Sequence, residues 1–257
     1  MSITTRVPDP IRSLGVAIGL GGAGLLFGIL LVDATGRAVT STGLQLSPLL
    51  LLVVSLVLMQ GVAFGGVTLV YAKYRGFGPD HFGISIPSLR DLVAIIFGYV
   101  TAFGAILVIG NIIRVLGIQG APNQVAEISA QNPEVLLFLI PASFLIIGPG
   151  EELLFRGVVQ NRLRESFGPV SGILLASAFF AAIHFAALAG GTGARLVTIS
   201  VLFVPSLIFG IAYELTDNLV VPSLIHGAYN ATLFSLLYVL LKFAELNPDA
   251  LPSGVLF

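Results

Sequence analysis

The chain has 257 residues, of which 56% are hydrophobic and only 10% charged, with a mean hydropathy of +1.01 and a net charge of −1. A soluble domain carries about 25% charged residues, so this composition excludes one and predicts a polytopic membrane protein. The near-zero charge excludes nucleic acid as a partner, because a phosphate backbone demands a basic surface, and the absence of cysteine excludes disulfides, thiol nucleophiles and thiolate metal sites.

Seven apolar segments follow one another, at about 13–34, 47–72, 91–117, 134–162, 169–189, 195–215 and 218–243. Each is near or above the ~20 residues that a helix needs to cross a bilayer. They are continuous apolar runs rather than alternating strands, so a barrel is excluded. The expected fold is all-α: a polytopic helical membrane protein of about seven helices, or eight, enclosing a polar intramembrane site. It is read as a single transmembrane domain over 1–257, with a catalytic-motif core at about 134–243. Arg6 and Arg12 precede a run long enough to span, and no small-residue cleavage site follows, so a cleavable signal peptide is not expected. The first segment contains Gly19, Gly21, Gly22 and Gly24, which reads as a helix-packing face; a nucleotide loop would need a preceding strand. The polar stretch 118–133 is expected to lie at the surface as a short helix, and the last dozen residues to form a tail.

Charge sets an orientation. One set of loops and segment ends carries Arg6, Arg12, Lys73, Arg75, Arg90, Arg162 and Arg164, and the other carries Arg37, Arg114, Arg195 and Lys242. The excess on the first set predicts a cytoplasmic N-terminus; the membrane itself is expected to be the cell (plasma) membrane of a microbe.

Against this apolar background a few polar residues stand out. Glu151, Glu152 and Arg156 follow Gly148-Pro149-Gly150 in the fourth segment, His184 ends the fifth, and His226 and Asn230 lie in the seventh. An ionisable group in the bilayer costs roughly 2.5–3.5 kcal/mol on insertion scales, which makes a functional site the default reading. Residues four apart share a helix face, so Glu152 and Arg156 are expected to form a structural ion pair, leaving Glu151 aimed into a cavity. The Gly-Pro-Gly run is expected to kink or open the helix and so to wet that cavity. His226 and Asn230 also share a face. Taken singly these residues could be packing or interhelical hydrogen-bonding groups; the joint occurrence on three segments favours chemistry. A Glu, two His and an Asn can build a hydrolytic site: Glu151 with His184 holds and deprotonates a water, and His226 with Asn230 donates to the oxyanion of a tetrahedral intermediate. The competing chemistry is zinc held by Glu151, His184 and His226. No His-Glu-x-x-His motif is present, so no cofactor is favoured.

At these residues the sequence resembles the CAAX prenyl protease 2 and bacteriocin-processing (CPBP, or Abi) family of intramembrane proteases. Glu151-Glu152-Leu153-Leu154-Phe155-Arg156 matches that family's E-E-x-x-x-R, Phe180-Ala181-Ala182-Ile183-His184 its F-x-x-x-H, and His226-Gly227-Ala228-Tyr229-Asn230 its H-x-x-x-N, in the same order. The resemblance implies Glu151 as general base assisted by His184, His226 and Asn230 as oxyanion stabilisers, and Glu152 with Arg156 as structural. It implies a peptide or protein substrate, lipidated (prenylated) in some relatives, and membrane lipid as surroundings. The family often carries the label metalloprotease; a metal-free glutamate mechanism suits this set better. Two other readings stand beside an endopeptidase: a non-catalytic scaffold or bacteriocin immunity factor, and a proton-coupled transporter using Glu151. No inverted repeat and no second broken helix support the transporter.

Overall fold

The computed structural model describes residues 9–246, with side chains to residue 243. The expected C-terminal tail and Arg6 fall outside that range. Among the described residues the chain is helical apart from loops and one isolated bridge between Asn123 and Leu188. Its helices are α1 (Asp9–Ser41), α2 (Pro48–Arg75), α3 (Leu89–Val115), α4 (Gln124–Gln131), α5 (Glu134–Ala187), α6 (Thr192–Thr216) and α7 (Val220–Leu246). All but α4 are long and apolar enough to cross a membrane, giving six such helices among the described residues. The segment 118–133 contributes the short α4, as its polarity predicts.

Local chemistry sets the helix ends. Ser47 caps α2 through the Leu50 N–H, with Pro48 in the first turn where a missing N–H costs nothing. Ser88 and Asp91 form a reciprocal capping box at the start of α3. Asn218 accepts from the Val220 N–H at 3.1 Å to start α7, and its amide donates to the Ser85 carbonyl. Gly83 must be glycine: its φ is +62°, and a Cβ there would stand 1.8 Å from the Asp217 carbonyl oxygen.

The sequence segments 134–162 and 169–189 run together in α5, which is why six long helices stand where seven segments are read. At roughly 1.5 Å per residue its 54 residues would reach about 80 Å, far beyond the ~30 Å hydrocarbon layer. The helix instead doubles back at Gly168 (φ 74°, ψ 174°), followed by Pro169. A Cβ on Gly172 would sit 3.0 Å from the Arg164 amide nitrogen, and the Phe155 ring meets those of Phe179 and Phe180 at 6.1 and 5.1 Å. These contacts fix two antiparallel legs.

The first leg of α5 is the axis of the molecule. Every residue from Leu154 to Gln160 is buried. One apolar cluster joins it to Phe64 and Tyr71 of α2, Ala17 of α1, and Phe180 of the second leg. A second joins Ala102, Phe209, Ile225 and Tyr229 across α3, α6 and α7. The glycines of α1 divide between two faces. Gly21, Gly24 and Gly28 pack against Phe179, Leu154 with Phe64, and Met59, while Gly15, Gly19 and Gly22 face open space. Outward lie Leu26, Leu69, Val70, Phe97, Val100 and Leu107, all exposed, as lipid-facing side chains should be.

The two ends of the bundle differ. At the Gly168 end Arg75 pairs with Glu165 at 3.0 Å and Arg164 with Glu214 at 3.3 Å, while the Ser13 hydroxyl donates to the Arg162 carbonyl. At the other end the Ala121 N–H donates to Thr198 Oγ1 at 2.8 Å and Lys242 pairs with Glu134 at 2.8 Å.

Candidate active site

Glu151 and Glu152 sit in the α-helical turn Gly148–Leu154, flanked on both sides by wider π-type stretches, Ser143–Ile147 and Phe155–Gln160. The Gly-Pro-Gly run therefore does not open the helix as expected. Pro141 and Pro149 each remove one backbone donor, and the helix adapts by lengthening its hydrogen-bond ring, the Gly148 N–H reaching the Ser143 carbonyl. The glycines serve close approach instead. A Cβ on Gly148 would lie 2.6 Å from the Ser223 carbonyl oxygen, and one on Gly227 2.8 Å from the Phe144 ring. α5 and α7 thus touch backbone to backbone, which carries His226 to the carboxylates.

The two neighbouring carboxylates have different surroundings. Glu152 is fully buried: its Oε2 lies 3.2 Å from Arg156 Nε, and its Oε1 is 2.8 Å from His226 Nδ1. Arg156, also fully buried, donates to the carbonyl and hydroxyl of Ser206 at 3.1 Å and lies over the Phe180 ring. Glu151 accepts a hydrogen bond from Gln60 Nε2 at 2.8 Å on one oxygen; its other oxygen is 3.8 Å from His226 Nε2. That distance is too long for a hydrogen bond, yet a third atom could lie within bonding reach of both. Glu152 accordingly does more than pair with Arg156. It orients His226, whose ring is also stacked on Phe209 at 4.8 Å.

His184 stands at the end of the second leg, half-buried, where the helix tightens to a 3₁₀ turn. Its Nδ1 is 2.8 Å from the Phe180 carbonyl, which can only accept, so Nδ1 carries the proton and Nε2 is left as an acceptor. Among the described residues no hydrogen bond or ion pair joins His184 to Glu151; the direct neighbours of Glu151 are Gln60 and His226. Asn230 lies one turn beyond His226 on α7, half-buried. Glu151, Glu152, Arg156 and His226 thus form one connected cluster. His184 joins it only through the Phe180 ring, which contacts both His184 and His226.

The zinc set read from the sequence does not gather. Among the described residues no three His or carboxylate side chains are grouped as metal ligands. In this arrangement Glu151, His184 and His226 do not stand together as a zinc-ligand set.

Two participants escape sequence reasoning. Gln60 of α2 is buried against Glu151, and Ser206 of α6 holds Arg156. The available signal for Gln60 was a lone amide within the apolar run Val57-Leu58-Met59-Gln60-Gly61-Val62.

The fold and cluster define a polytopic helical membrane protein with a buried carboxylate–histidine site. Residues 133–232 match the family model described as Type II CAAX prenyl endopeptidase Rce1-like, and all three motifs fall inside that segment. The resemblance carried by the motifs is thereby shown over those residues. No curated protein and no solved structure matches the chain significantly.

Proposed function

We propose that the protein is an intramembrane endopeptidase that hydrolyses a peptide bond in membrane-associated, CAAX-like substrates, with Glu151 as general base. The observation that carries this reading is the unequal treatment of two adjacent carboxylates. Glu152 is engaged on both oxygens, by the Arg156 ion pair and the His226 hydrogen bond, whereas Glu151 is held by Gln60 on one oxygen and keeps the other beside His226 Nε2. A buried carboxylate with one uncommitted oxygen is what a general base requires.

In the proposed reaction Glu151 takes a proton from a water as its oxygen bonds to the substrate carbonyl carbon. The carbonyl electron pair moves to oxygen. On collapse the C–N bond breaks, and Glu151 returns the proton to the leaving amine. His184 accepts a hydrogen bond from the water through Nε2 and orients it. His226 Nε2 and the Asn230 amide donate to the oxyanion in a dry site, where such donors act strongly. With its Nδ1 hydrogen-bonded to Glu152, His226 is oriented so that Nε2 is the nitrogen facing Glu151 and the oxyanion.

The test is cleavage of a peptide library, including prenylated C-terminal peptides, by the purified protein in liposomes. Cleavage that is lost in Glu151→Ala and kept with a chelator is the expected result. A general base contributes about 10²- to 10⁴-fold, so the loss should fall in that range or beyond. Cleavage lost to the chelator and restored by zinc would move the chemistry to a metal. Full activity in Glu151→Ala would overturn the reading.

A further inference from the structure

We infer that Gln60 is a positioning residue for Glu151, placed by a helix outside the segment that carries the family motifs. The inference rests on the reading of Glu151 as general base. Gln60 lies 91 residues upstream of Glu151, on α2, and outside the matched residues 133–232. Its side chain is buried and its Nε2 is 2.8 Å from Glu151 Oε1.

The chemistry of the contact and two further features show that the chain is shaped for it. A carboxylate only accepts, so the amide must present its nitrogen to Glu151; a flipped amide would set oxygen against oxygen. Gln60 sits inside the π-type stretch Val57–Gly65, one of three such stretches at this site, and such widened turns re-aim the side chains they carry. Gly150, directly before Glu151, clears the approach. A Cβ there would lie 2.8 Å from Gln60 Cβ and 3.1 Å from both its backbone oxygen and its Oε1. Replacing that glycine would push α2 away from the carboxylate.

The consequence follows from the carboxylate's geometry. A carboxylate on a flexible glutamate turns about its terminal torsion, and a donor fixed to one oxygen stops that rotation. With Oε1 held by Gln60, Oε2 is the oxygen directed at His226, where the proton is to be taken. The amide adds no charge, so it orients the base without converting it into an ion pair. Lys or Arg at this position would neutralise Glu151 as Arg156 neutralises Glu152.

The experiment uses the full chain in liposomes with Gln60→Met, which keeps the volume and removes the donor, and Gln60→Glu, which keeps the shape and replaces the donor with an acceptor. Two readouts are taken. The first is the infrared carboxylate band of Glu151 in protein labelled with carbon-13 glutamate, assigned by subtracting the Glu151→Gln spectrum; it needs no substrate. The second is kcat and KM on a fluorogenic farnesylated CAAX peptide. A shifted Glu151 band, with kcat lowered about tenfold at unchanged KM in the Met variant and lowered further in the Glu variant, is the expected result, since a hydrogen bond to a charged group is worth about that much. An unchanged band in the Met variant would overturn the placement, whatever the activity. A shifted band with unchanged kcat would overturn the positioning role. A shifted band together with full cleavage by Glu151→Gln would overturn the general-base reading alone and leave the hydrogen bond standing.

Discussion

The protein carries two clusters of opposite charges, and they are built to different standards. At the Gly168 end Arg75, Arg164, Glu165, Glu214 and Asp217 meet in water-accessible pairs, one at 3.8 Å with Asp217 80% exposed. In the middle of the same leg of α5, Glu152 and Arg156 are wholly buried and further engaged by His226 and Ser206. Only about two turns of helix separate Arg156 from Arg164 on this leg. Water decides the difference. An exposed pair can lose its partner to solvent, so it needs no precise geometry and contributes about 0–1 kcal/mol. A buried pair has no such recourse, so every charge must find its counterpart within the protein. The same contrast holds for histidine. His81, exposed and stacked on Phe77 in a short 3₁₀ turn at the Gly168 end, is held below the ordinary histidine value by partial burial and has no carboxylate hydrogen-bonded to it among the described residues. His226, stacked on Phe209, is locked between two carboxylates.

The sharpest way to break this comparison is Arg156→Met. Removing one partner of the buried pair leaves Glu152 uncompensated and should cost about 3–5 kcal/mol; unfolding in detergent measures it. A cost below 1 kcal/mol would mean that the buried cluster behaves like the exposed one. Gly150→Ala comes next. The added methyl would overpack against Gln60, including its backbone, at a cost of about 1–3 kcal/mol. Alanine's better helix propensity, worth up to about 1 kcal/mol, offsets only part of that. The variant should also lower kcat, through displacement of Gln60. Arg164→Ala is the smallest: with partners at 3.3 and 3.8 Å and its side chain 39% exposed, it should change stability by about 0–1 kcal/mol and leave any cleavage rate unaltered. A loss of several kcal/mol there would show that the Gly168 end is as tightly built as the site.

The motif residues themselves were legible because polar groups are rare in hydrocarbon-grade sequence. Glu152 with Arg156 followed from helical spacing alone, while of the glycines read as a packing face in α1 only Gly21 and Gly24 pack and Gly19 and Gly22 face open space. Other matters were not legible in one dimension. The link from Glu152 to His226 depends on Gly148 and Gly227 letting two backbones touch, which spacing along either helix cannot reveal. The direct neighbours of Glu151, Gln60 on α2 and His226 on α7, were likewise not legible, because they come from other helices and no spacing within the fourth segment points to them. The widened helical turns arise from proline and packing together, so the Gly-Pro-Gly run misled as a sign of an opened helix.

What the sequence determined by itself is the environment and the chemistry: long apolar runs dictate helices in a membrane, and costly polar residues mark where something must be done. What only the tertiary structure decided is the division of labour between adjacent carboxylates. Neighbours on a helix point about 100° apart, so which becomes the buried counter-ion and which keeps an uncommitted oxygen depends on the helices that each happens to face. Here α7 brings His226 to Glu152, α6 brings Ser206 to Arg156, and α2 brings Gln60 to Glu151.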